Sequence, residues 1–124
     1  MTSSILKNTR KMLGLPDDDT SFNEDLITHI NSALGALRQL GVGPKGKDFF
    51  IVDDSATWED FLQQDDNYKM AALYVYYKVK LGFDPPATSF TQEAIKNQIS
   101  ELEWRLNLEA EEGAMYEESP TTSS

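Results

Sequence analysis

The stretch Tyr68–Phe83, YKMAALYVYYKVKLGF, holds Met70, Leu73, Tyr74, Val75, Tyr76, Tyr77, Val79, Leu81 and Phe83, and its only charges are Lys69, Lys78 and Lys80. No other part of the chain is so apolar. As a helix it is greasy around most of its circumference, so other helices must surround it. Val75, Tyr77, Val79, Leu81 and Phe83 also alternate with Tyr76, Lys78, Lys80 and Gly82, the period of a strand. Length decides between the two, because about sixteen unbroken residues is long for a strand and ordinary for a helix. Asp66 or Asn67 can cap its start, and Asp84-Pro85-Pro86 stops it. The pattern predicts a central helix.

With 124 residues the chain makes one domain with a modest core of its own. It has no cysteine, which excludes a disulfide scaffold, thiolate catalysis and cysteine-ligated zinc. Residues 1–15 are amphipathic but lack the apolar run of a signal peptide, and the central stretch is too short and too lysine-rich to span a membrane. We therefore expect a soluble protein with no membrane partner. Twenty-one acidic residues against 11 basic ones give a formal charge of −10, which opposes affinity for nucleic acid phosphates. The charge is polarised: Lys7, Arg10 and Lys11 lie in a front without acids, whereas Glu109, Glu111, Glu112, Glu117 and Glu118 crowd the rear. The two ends are either solvated faces or a pair of complementary contacts, within one subunit or between neighbours.

The remaining elements read as helices separated by strong stops. A short helix over 5–13 ends at Gly14-Leu15-Pro16. Ser21 with Glu24 forms the reciprocal pattern that starts a helix over 22–40, striped by Leu26, Ile30, Ala33, Leu37 and Leu40 and widened by Ile27 and Leu34. Gly41-Val42-Gly43-Pro44 ends it. Phe49, Phe50, Ile51 and Val52 form the one extended segment, which either lies against the helices or pairs with an edge on another subunit; we favour packing. Thr57 and Asp60 open a short helix with Trp58, Phe61 and Leu62. After Pro85-Pro86, Ser89 with Gln92 starts a last helix over 90–112, in which Ile95, Ile99, Leu102 and Leu106 share a face with Trp104 and Leu108 nearby. That stripe suits core packing better than a coiled-coil seam, since it spans under two heptads. Residues 113–124 form an acidic, polar C-terminal tail whose only sizeable apolar groups are Met115 and Tyr116, too few to order it alone. The sum is an all-α fold: a small bundle of four to five helices around a central apolar helix, with one extended segment and a tail. The division is a helical domain over 1–112 and the tail over 113–124.

Chemistry is scarce. Asp17-Asp18-Asp19 fails as a calcium loop, because Phe22 stands where glycine must turn the chain and Thr28 where a bidentate glutamate must sit. GVGPKGKD over 41–48 approaches a phosphate loop, but a helix precedes it, an extended run follows, and Asp48 replaces the magnesium-binding hydroxyl. His29 is the only histidine, a weak basis for a site. No nucleophile–base pair, metal cluster or cofactor loop emerges, and the aromatic residues are not interleaved with a basic surface that would stack bases. We expect no enzyme, no metal and no cofactor.

Taken together, ILKNTRKMLGLPDDDTSFNEDLITHIN, the break LGVGP, DDSATWEDFL, the FDPPATS turn and IKNQISELEWRLN resemble, in matching order over residues 5–108, the head-to-tail connector (adaptor) proteins of long-tailed bacteriophages. The resemblance implies a non-catalytic helical virion protein, assembled in the host cytoplasm. Such proteins form a ring, usually dodecameric, in the neck at the capsid vertex. The ring joins the portal to head-completion or tail proteins and extends a channel through which DNA passes without specific binding. Its interface residues would come from the basic front (Lys7, Arg10, Lys11), the extended segment (Phe49, Phe50, Ile51, Val52) and the tail (Met115, Tyr116). Two other readings stay open: a small DNA-packaging (terminase) subunit, for which the only basic helix is short, and an acidic inhibitor that mimics DNA.

Overall fold

A computed structural model describes residues 4–16, 18–44, 48–63 and 68–122, with side chains through Glu111 in the last stretch. It contains α1 (Ile5–Leu13), α2 (Asn23–Gln39), α3 (Trp58–Leu62), α4 (Tyr68–Phe83) and α5 (Ser89–Thr122), and no strand among the described residues. The all-α bundle expected from the sequence is what forms. The expected caps at Asp66 or Asn67, the middle of the 41–48 loop and Asp17 lie outside the described residues.

The apolar circumference of α4 is covered as its composition demands. It packs against α1, α2, α3 and α5, and Lys69 and Gly82 are its only exposed residues. Ala71, Ala72, Tyr74, Val75 and Val79 are buried in the common core. Onto them fold Leu26, Ile30, Ala33, Leu34 and Leu37 of α2 and Ile99, Leu102 and Leu106 of α5, the two stripes read from the sequence. Trp58 and Phe61 of α3 are also fully enclosed. Burying a large side chain of this kind contributes about 1.5–3 kcal/mol, so α3 is held by these two aromatics rather than by its own length.

Caps decide where each helix begins. Ser4 accepts from the amide of Lys7 at the start of α1, and Gly14, at φ 80°, ends it in the left-handed conformation that glycine adopts without strain. Thr57 and Asp60 exchange both bonds of the capping box expected for α3. The other two boxes are replaced. The Ser21 hydroxyl and amide both donate to the Asp19 carboxylate, leaving Phe22 at the N-cap of α2 with no side-chain bond. At α5 the cap is Thr88, whose hydroxyl accepts from the Thr91 amide, while Gln92 donates to the Pro86 carbonyl. At α2 a nearby carboxylate takes the Ser21 hydroxyl, and at α5 the helix starts one residue earlier than expected, so Thr88 rather than Ser89 is the cap. The α5 helix also continues past the expected end at Glu112 to Thr122.

The 41–44 turn is dictated by close approach. Gly43 has φ 107°, and a Cβ there would lie 2.6 Å from the Phe61 ring. Any other residue would both strain the backbone and displace α3.

Candidate interface surfaces

The extended segment is pinned by one side chain. Asn31 of α2 accepts from the Ile51 amide at 2.7 Å and donates to the Ile51 carbonyl at 3.0 Å, as a neighbouring strand would. Burial then alternates. Ile51 is buried, and Phe49 is half-buried with its ring edge-on to Phe61 at 5.1 Å between centroids. Phe50 and Val52 point outward, 64% and 73% exposed. Packing against the helices is therefore how this chain holds the segment, and two of the four residues form a small apolar ridge.

The basic front is mostly engaged within the chain. Arg10 is 6% exposed, and its guanidinium donates to the Asn23 carboxamide oxygen and the Pro16 carbonyl, closing the α1–α2 loop. Lys7 lies 3.7 Å from Asp54, both side chains well exposed, a separation at which a pair contributes little. Lys11 is exposed. Counting charges could not reveal that a carbonyl and a carboxamide lie within reach of Arg10. Met115 and Tyr116 lie outside the described side chains.

A surface that the sequence reading grouped with the core is the outer face of α5. Ile99, Leu102 and Leu106 face inward, whereas Trp104 is 66%, Phe90 85% and Leu108 40% exposed. Helical phase gives the reason: Phe90, Asn97 and Trp104 recur every seven residues, and Leu108 stands one turn beyond Trp104, on the side opposite the buried stripe. That seven-residue recurrence was the available signal. Glu101 and Arg105, three residues before and one after Trp104, are bonded to each other at 2.7 Å. The helix is fastened to the domain by Tyr74, whose hydroxyl donates to Glu103 at 2.8 Å, and by Asn107, which donates to the Leu40 carbonyl at 3.1 Å. Burial first, and then the Glu103 carboxylate, push the Tyr74 phenol well above its ordinary value.

The outer face of α2 is the counterpart of this ridge. A shallow open groove of about 580 Å³ runs along Asn31, Ser32, Gly35, Ala36, Arg38 and Gln39. Arg38 forms one wall, bonded to Asp48 at 3.1 Å. Elsewhere on the surface, hydrogen bonds from Ser21 and Ser55 lower the carboxyl pKa values of Asp19 and Asp53, as expected for turns that need ionised acceptors. Among the described residues no group of His, Cys, Asp and Glu is placed to hold a metal ion, and no helix is long and apolar enough to cross a membrane.

A family model described as phage connector protein covers residues 5–113. No curated protein and no solved structure matches the chain.

Proposed function

The chain belongs to the phage connector protein family, which makes it a structural connector of a phage virion, and from that premise we propose that it forms a ring in the neck. The ring lies between the portal and the head-completion or tail proteins and extends the DNA channel. One observation carries the reading. A domain whose core is already closed around α4 still exposes Phe50 and Val52 on one segment and Phe90, Trp104 and Leu108 on another. Two unlike apolar surfaces on one small protein suit head-to-tail contacts, which close into a ring when the rotation per subunit divides a full turn. The net charge of −10 suits a conduit that does not grip the DNA passing through it.

In this reading the portal supplies the template that fixes the number of subunits. Lys7, Lys11, Phe50 and Val52 contribute to contacts, and the 113–124 tail with Met115 and Tyr116 anchors the ring to a neighbouring component. The free protein is monomeric or weakly associated; stable dodecamers at nanomolar concentration, seen by mass photometry, would contradict the templating. Truncation after Glu112 is expected to leave the thermal transition in place while reducing incorporation into necks at least tenfold. Unchanged incorporation would remove the anchoring role. Retention of the protein on duplex DNA in a low-salt filter assay would favour a DNA-packaging subunit instead.

A further inference from the structure

We infer that neighbouring copies meet by seating the α5 ridge of one, Trp104 and Leu108, in the α2 groove of the next, over Gly35. This rests on the ring reading and names the surfaces that make it.

The first observation is Gly35 itself. It stands inside α2, four residues from its end, where glycine disfavours a helix. Its own helix backbone and chain neighbours apart, nothing lies within 4 Å of where its Cβ would be. No contact inside the chain therefore needs the missing side chain, in contrast to Gly43 beneath Phe61. Its absence deepens the groove between Ser32 and Gln39, and a flat aromatic side chain arriving from outside can rest on the bare helix backbone.

The second is that the ridge and the groove cannot meet within one molecule. The α2 and α5 helices bury their opposite faces, Leu26, Ile30 and Leu37 on one and Ile99, Leu102 and Leu106 on the other, in the same core. The outward faces consequently turn away from each other. A ridge on one flank and a slot on the other make a heterologous pair, which propagates from copy to copy rather than closing as a two-fold dimer.

The third is chemical fit, which also selects a second copy as the occupant. Arg38 lines the slot with its side chain 24% exposed, and a guanidinium is the cation best suited to lie against an indole face. The exposed Glu111, two turns beyond Trp104 on the same face, brings acid toward that base, which within the chain pairs with Asp48.

Because the chain has no cysteine, paired cysteines can test the contact in the full-length protein without background. With Trp104 over Gly35, Leu108 lies one turn along, beside Ser32 or Gln39 according to the direction in which the helices cross. Leu108→Cys is combined with Ser32→Cys in one variant and with Gln39→Cys in another, and each is oxidised at high protein concentration. The expected result is a ladder of covalent oligomers from one of the two variants, reversed by reductant and absent from each single substitution. Covalent dimers from Leu108→Cys alone would show ridge against ridge and overturn the inference. No ladder from either variant, with wild-type multimers still captured by a lysine-reactive cross-linker, would overturn the assignment of surfaces and leave the ring standing. No ladder from either variant and no lysine-cross-linked multimers of the wild type would overturn the inference, while a ring formed only on the portal would still stand. Gly35→Leu, which fills the slot from a solvent-facing position, is expected to keep the thermal transition and lower cross-linked multimers at least tenfold; unchanged multimers would also overturn the inference.

Discussion

The α4 and α5 helices are opposites built from similar amounts of apolar residue. Around α4 the apolar groups point in every direction and are buried or half-buried, so the helix presents little apolar surface of its own. Along α5 the buried positions Ile99, Leu102 and Leu106 form one narrow seam, and the large side chains Phe90, Trp104 and Leu108 are left in solvent. The same driving force thus does two jobs. Where a helix is enclosed, apolar burial stabilises the fold. Where only a seam is enclosed, the surplus stays exposed, and it is this surface that the proposed contact between copies would use.

The contrast breaks most visibly if the centre of α4 is charged. Val75 is wholly buried, and Val75→Asp places an unpaired carboxylate in the core, at a cost of about 3–5 kcal/mol. Against a domain stability of about 5–15 kcal/mol, circular dichroism should show a broad, much lowered transition or none. Tyr74→Phe tests the link between the two helices. Losing the bond to Glu103 should cost about 1 kcal/mol, read from a denaturant midpoint. It should also change the alkaline behaviour. The folded-state pKa of Tyr74 is raised above the ordinary 10.0, so its contribution is complete below pH 10 and is lost as pH rises through the folded value. The wild type should therefore lose stability above pH 10 more steeply than the variant. Trp104→Ser should have the smallest effect on the isolated domain, within about 0.5 kcal/mol. A melting temperature that fell as far for Trp104→Ser as for Tyr74→Phe would erase the distinction between seam and surface.

Legibility in the sequence followed the same divide. The central helix, the stripes on α2 and α5 and the Thr57 box could all be read, because each depends on residues close in sequence or on a period the chain states outright. The Ser21 and Ser89 caps could not, since whether a hydroxyl reaches its own helix depends on a competing acceptor such as Asp19 or on an adjacent hydroxyl such as Thr88. Arg10 looked like part of a basic front because charge is visible and the Pro16 carbonyl beneath it is not. Phe49 and Ile51 were read together with Phe50 and Val52 as a single apolar run, although only Asn31, twenty residues from Ile51, decides which two turn inward. Trp104 was placed near the buried stripe on the count of its neighbours, when its helical phase put it on the far side. Gly35 carried no signal in sequence beyond being a glycine in a helix; its meaning came from the empty space around it.

The attachment of α5 also has a mechanical side. Beyond Asn107, where the carboxamide holds the end of α2, the helix axis runs on for the rest of its length to Thr122. A pull or push at its far end therefore reaches the domain as torque about that pivot. The restoring moment comes from the short apolar seam and the Tyr74 tether behind it. Strain imposed during docking would be felt first as a tilt of this rod, with α4 acting as the rigid mast against which it leans.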